Sequence, residues 1–577
     1  MKKEPTWTDD IQYLFSSPYW IDKDSQASVG AEWRDAMKGY FVYLDEYESV
    51  KNWSVQIYSH LHSRSMPLSP DPNEQWPSQA LESFRIWANQ GYRQTSHDPL
   101  DIEDRIPLPV QRPLALRIRK DITKMTLREL NLYRAKIESL QVDNPLPSSP
   151  WQQIAFIHTN WCLHYQEAFL FWHRANLLWL EEQFGMGIPY WNWMSPDVAT
   201  PGNPAAGLPQ AFLDETYVNP HTQERRPNPL RYAAAMNGCS KACSQDPLPG
   251  PDCLWVQRDP IFAQAKPDKQ ELQDKLDQLL TYQDQVRTAF GLSNFSTPQG
   301  FPGFPWANIP SFPAPDSDYP YLNQTFDGTY EQPHDNLHGW LGADMADNAY
   351  TAFDPVFWSH HSMIDLVYEA WNRKHPATVY TANFPVQPFI GPLASSINET
   401  ESRRYLYTTI GDMAKDSRSL GYDYASLPTI EKMLQPSASQ GPRLNALFEG
   451  VRCTLDSYAI ELYLNPPPGE LRPSTENPHF ALRMTRLGMG LADKNNRCSN
   501  KGIQRLVDLT RAAQRLDLSP KDKVQLVMKV IDLRTQKILT EEEYTQLPGF
   551  APRLLWRIVT NDQEQGGFSS PCKKSST

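Results

Sequence analysis

The chain has 577 residues, too many for one ordinary core, so more than one domain is expected. Hydrophobic residues make up 40% and charged residues 21%, and 55 Lys and Arg stand against 67 Asp and Glu. That acidic balance speaks against nucleic acid or an anionic membrane surface as a partner. No run approaches the roughly 18 apolar residues of a membrane span. The start, MKKEPTWTDDIQYLF, has no apolar core of a secretory signal. The chain as encoded is therefore expected in the cytoplasm, unless it is a processed form or leaves by another route.

Residues 1–105 read as a small helical domain, with apolar residues at helical spacing over 31–43, 46–62 and 77–90. It carries no recognisable chemistry, and a role covering a domain edge or joining a homo-oligomer is open to it. The proline-broken IPLPVQRPLALRIRK follows, and Thr126-Leu127-Arg128-Glu129 then opens a helix with a capping box. A first histidine array runs from His158 to Arg174. Residues 195–268 read as a long irregular insertion, 270–290 as an amphipathic helix, and GFPGFPWANIPSFPAP as a second loop. A second histidine array spans Glu331 to Asp365, and 375–442 reads as a linker with some helix. Beyond it, CTLDSYAIELYL, FALRMTRLGMG, KVQLVMKVIDL and RLLWRIV read as strands of an antiparallel β domain over 443–562. The polar tail, 563–577, reads as disordered. The seven cysteines are an odd number. Cys239, Cys243 and Cys253 cluster, while Cys453 and Cys498 lie in the β region. Cys239-x-x-x-Cys243 fits a zinc half-site, a disulfide or free thiols in a loop equally well.

The histidine arrays carry the chemistry. His334 and His338 are four apart, so on a helix they share one face a turn apart, the spacing with which two imidazoles grip one metal ion. Asp354-Pro355 is a good N-cap followed by a first-turn proline, so a second helix carrying His360 and His361 begins there. Upstream, His164 and His173 cannot share a face of one straight helix, so a break must separate His158 and His164 from His173. Imidazole sets of this kind suit copper, zinc, iron or nickel better than magnesium or calcium. One such histidine alone would more often be a hydrogen-bonded core residue.

The two arrays resemble the CuA and CuB signatures of the type-3 copper family of tyrosinases, catechol oxidases and haemocyanins. The first shows as Cys162-Leu163-His164 and Phe171-Trp172-His173-Arg174. The second shows as His334-x-x-x-His338 and Asp354-Pro355-x-Phe357-x-x-x-His361-x-x-x-Asp365. The resemblance implies a mainly α chain: a four-helix-bundle dicopper domain over 106–442, the helical domain before it, and a C-terminal β-sandwich that can act as a lid. It implies two copper ions, one held by His158, His164 and His173, the other by His334, His338 and His361. His360 then lies in the pocket, Asn348 near substrate entry, and Cys162 at the position of a thioether to His164. Glu331 corresponds to a glutamate that holds a water able to deprotonate a monophenol. Asp335 stands where an Asn is associated with phenol hydroxylation. IPYWNW resembles a family turn, with Asn192 where Asp is usual. The implied activity is oxidation of phenolic or catecholic small molecules by O2, through a dicopper-peroxide, to o-quinones. The alternative is a haemocyanin-like reversible O2 carrier. A single copper unit flanked by unrelated segments favours the enzyme.

Overall fold

The computed structural model describes residues 4–15, 34–35, 37–38, 42–62, 76, 78–103, 105–106, 116–141, 149–236, 255–264, 267–296, 325–380, 382, 386, 389, 409–435, 441–451, 454–469, 471–474, 476–488, 503–547 and 549–559. The cysteines at 239, 243, 253, 453, 498 and 572, the loop from 300 to 315 and the tail from 563 lie outside them. The chain divides into two compact units, residues 1–114 with 381–414, and residues 115–380 with 415–577. Part of the expected linker thus groups with the N-terminal segment, and the β region shares one unit with the histidine helices.

The first unit holds helices α1 (Tyr47–Asn52), α2 (Ser54–His62) and α3 (Ser78–Asn89). They close on Trp7, Ile11, Trp76, Phe84 and Trp87. His60, His62 and His97 belong to this unit.

The second unit opens with a short strand, β1 (Arg117–Arg119), paired in parallel with β2 (Tyr422–Tyr424). Helix α4 (Leu127–Leu140) begins at the expected Thr126–Glu129 capping box. Four helices then surround the histidines: α5 (Pro150–Trp161), α6 (Phe169–Phe184), α8 (Phe326–Leu341) and α9 (Pro355–Lys374). The amphipathic α7 (Lys269–Phe290) packs along α8. Helix α6 is apolar round most of its circumference and correspondingly buried, and it stops at Gly185 in the left-handed conformation (φ 68°). Asp354 caps α9, accepting from Val356 N, and also holds Arg258 through two contacts of 2.7 and 2.8 Å.

The C-terminal part forms two antiparallel sheets. Strands β3 (Gly441–Val451), β6 (Ile503–Asp508) and β9 (Arg553–Val559) make one, in the order β9-β3-β6. Strands β4 (Tyr458–Leu464), β5 (Phe480–Arg486), β7 (Leu526–Asp532) and β8 (Ile538–Leu539) make the other, in the order β8-β7-β4-β5. Leu444, Ala446 and Phe448 of one face Ile460, Leu462 and Met484 of the other across a shared core, the layering of a sandwich. One member of that core, Tyr165, comes from the histidine region. Among the described residues, no helix is long and apolar enough to cross a membrane.

Candidate metal centre

His158 sits in the last turn of α5, whose C-cap is Cys162. The chain then turns through residues 162–168, with His164 in the turn and Tyr165 at a positive φ of 57°. Helix α6 follows and carries His173, so the expected break is present. His334 and His338 project one turn apart from α8, while His360 and His361 come from α9. All seven imidazoles are buried.

The rings of His158, His164 and His173 lie 5.1 to 6.0 Å apart, centroid to centroid. Those of His334, His338 and His361 lie 4.5 to 5.6 Å apart. The two sets meet: His173 stacks on His361 at 4.3 Å and 8°, and His164 lies 5.6 Å from His334. Residues separated by nearly two hundred positions in sequence thus converge on one buried cluster. His360 joins it, stacked on His334 at 5.4 Å and 4.9 Å from His338.

Hydrogen bonds fix which nitrogen faces inward. The Nδ1–H groups of His173, His334 and His338 donate to Phe169 O at 2.8 Å, Asp335 Oδ1 at 3.0 Å and Met345 O at 2.8 Å. Each leaves an Nε2 lone pair for the centre. His334 Nε2 then lies 3.0 Å from His338 Nε2 and 3.4 Å from His361 Nε2. Nε2 of His164 and of His173 has no hydrogen-bond partner, nor has either ring nitrogen of His360, among the described residues. Burial lowers the pKa of all seven, His164 and His338 to about 3, so the rings are neutral and their lone pairs available. Inward lone pairs with no protons between them are what a soft or borderline transition metal satisfies, so the residues present fit copper.

Two carboxylates stand behind the rings. Glu331 is fully buried; its Oε1 accepts from Tyr165 N at 2.7 Å and lies 3.4 Å from His164 Nδ1. Its Oε2 has no partner among the described residues, and burial pushes the carboxyl up to about 7. Asp335 Oδ1 holds His334, while Oδ2 accepts from the Tyr165 hydroxyl at 3.1 Å and pairs with Arg505 at 3.3 Å. Burial drives the Asp335 carboxyl well up, and the Arg505 guanidinium is the strongest opposing influence. Cys162 Sγ accepts from the Asn348 amide at 3.1 Å. Asn348 is buried and spends a donor on that sulfur. Asn192, in the IPYWNW turn, donates to Asp121 Oδ2 at 3.2 Å.

Every singled-out histidine of the two arrays therefore reaches one cluster. Tyr165 and Arg505 are additional residues that the spacing of the histidines does not reveal. The positive φ of Tyr165 leaves no mark in the sequence, and Arg505 lies 170 residues from its partner Asp335.

Residues 148–374 match the family described as the common central domain of tyrosinase. The haemocyanin G-type, units Oda to Odg, of Enteroctopus dofleini is 23% identical over 343 residues, 54% of this chain and 10% of that protein. The tyrosinase of Felis catus is 25% identical over 325 residues, 52% of this chain and 53% of that protein. The chain thus spans about half, or far less, of these two relatives. Deoxygenated haemocyanin from Rapana thomasiana shares the fold at a TM-score of 0.53 and 17% identity, covering 77% of this chain and 100% of that one. A pro-tyrosinase from Aspergillus oryzae does so at 0.51 and 14% identity, covering 78% and 95%.

Proposed function

Through residues 148–374 the chain belongs to the type-3 copper family of tyrosinases and haemocyanins, and from that premise we propose that it is a copper-dependent oxidase converting o-diphenols to o-quinones with O2. The observation that carries this reading is the convergence of both histidine arrays on one buried cluster of ring nitrogens. His158, His164 and His173 would hold one copper and His334, His338 and His361 the other. A copper pair bound there would supply the redox relay by which two o-diphenols give four electrons and four protons to one O2, yielding two o-quinones and two waters.

The chain's own residues do the rest. Met345 O and Phe169 O hold His338 and His173 as Nε2-facing tautomers. Glu331 supports the oxidase over the carrier: a buried carboxyl with one free oxygen, close to neutrality in pKa, can take the phenolic proton directly or through water. Asp335 has both oxygens engaged and offers no amide hydrogen, so hydroxylation of monophenols rests on Glu331 alone. His360 would line the pocket beside the coppers, and Cys162 lies near His164, their donor atoms within 4.8 Å of each other, as a thioether between them would need.

One observation favours the second reading, reversible O2 binding: every imidazole is buried and a β sheet lies against the His334 helix. Oxygen uptake on a catechol and on a monophenol, with the copper-loaded chain, decides. Sustained consumption with quinone formation supports the oxidase, whereas stoichiometric O2 binding without turnover supports the carrier.

A further inference from the structure

Helix α8 bears two of the histidines and is bound to strand β5 edge-on. Thr485 N donates to Asn336 Oδ1 at 2.8 Å, Gln332 Nε2 donates to Thr485 O at 3.1 Å, and Gly339 leaves no Cβ where the Thr485 side chain sits. Beside this seam the other sheet sends a charge inward. Arg505, on β6, is buried to 3% exposure, yet it is a guanidinium in a β-sandwich. Its NH1 donates to Gly328 O in the first turn of α8 at 3.2 Å, its NH2 donates to Asp335 Oδ2 at 3.3 Å, and its carbon lies 5.0 Å from the centre of the Tyr165 ring.

The position of Asp335 gives this contact a consequence. Asp335 holds the Nδ1–H of His334 on its other oxygen, and Tyr165, the residue after His164, bonds both Asp335 and Glu331. Among the described residues, Arg505, His334 and the Tyr165 hydroxyl are the side-chain groups bonded to the Asp335 carboxyl. From a strand of the sandwich, the guanidinium thus fixes the carboxyl group whose other oxygen grips the His334 ring. Outer partners that orient a metal-ligating imidazole in this way are worth about 10–100-fold in metal affinity.

We propose that Arg505 is a positioning residue of the copper centre, acting through Asp335 on His334, and that the β-sandwich is therefore a built-in part of the second copper site rather than a detachable cover. This rests on the dicopper reading above.

The test uses full-length protein: wild type, Arg505→Gln, which keeps a hydrogen-bonding amide without the charge, Arg505→Lys, which restores the charge, and Arg553→Gln, which breaks an exposed pair with Glu449 on the same sandwich. Copper per chain is measured across a series of copper(I) chelator concentrations, with circular dichroism and apo-protein melting to follow the fold. The expected result is that Arg505→Gln stays folded and gives up one of two coppers at about tenfold less chelator. Arg505→Lys recovers most of that loss, and Arg553→Gln behaves as wild type. The proposal is overturned if Arg505→Gln, or Arg505→Met should the Gln form not fold, holds both coppers as wild type while Arg553→Gln does too, or if the charge-removing variant and Arg505→Lys lose copper equally. A wild-type chain that takes up no copper overturns the dicopper reading itself.

Discussion

At the scale of single residues, Asp365 ties the helix that carries His361 to the rest of its unit through a buried network. It accepts from Arg174 at 2.5 Å, Arg119 at 2.8 Å, and the Tyr422 and Tyr424 hydroxyls at 2.7 and 2.6 Å, all of them buried. Asp365→Asn leaves two buried guanidiniums without their shared carboxylate and is expected to cost about 3–5 kcal/mol in urea unfolding of the apo-protein. Burial pushes this carboxyl up, but Arg174 and Arg119 pull it below its ordinary range. Its folded pKa is thus depressed, so its contribution is present above the unfolded value, near 3.9, and fades as pH falls through the folded one. The penalty of Asp365→Asn should accordingly be largest near neutrality and shrink in acid. At this scale the sequence is legible where function repeats a short spacing. His334 to His338 is one helical turn, and Asp365 is one turn beyond His361. Arg119 and Tyr422 are not legible, because their contacts with Asp365 close loops of 246 and 57 residues.

At the scale of elements, local chemistry set several boundaries. The Thr126–Glu129 box starts α4, and Asp354-Pro355 starts α9. Asp354→Ala removes an N-cap worth about 1 kcal/mol and strands Arg258, so melting should fall by more than a cap alone explains. Gly339 looks like a liability inside a helix, since glycine costs about 1 kcal/mol against alanine there. The structure supplies the reason: a Cβ would collide with the Thr485 side chain of β5. Gly339→Ala is therefore expected to destabilise by about 1–3 kcal/mol despite its better helix propensity, and to loosen copper bound through His338. A variant as stable as wild type in thermal melting would show that the seam can shift freely. Four of the strands follow the alternating apolar runs, but β6 (Ile503–Asp508) does not announce itself. Its inward arginine breaks the pattern at the residue that reaches Asp335.

At the scale of the whole molecule, the periodicities locate the helical and β regions but not how they group. A split at residues 105 and 442 follows composition, whereas contacts gather 381–414 with the N-terminal segment and both sheets with the histidine helices. That grouping depends on long-range packing, such as Tyr165 entering the sandwich core, which no local pattern encodes. It also sets an expectation for proteolysis. If residues 441–559 are cut away, copper retention should fall together with apo stability, because Asp335 loses Arg505 and α8 loses β5. A trimmed protein that keeps two coppers and gains activity would mark the sandwich as a lid instead.

The most direct measurement loads the full chain with copper(I) without oxygen, removes excess metal, counts copper, and records the near-ultraviolet spectrum before and after admitting air. Two coppers per chain, an absorption band that appears only with oxygen, and loss of that band in both His164→Ala and His361→Ala are the predicted result. Zinc in place of copper, a single copper, or a spectrum indifferent to oxygen would contradict the account.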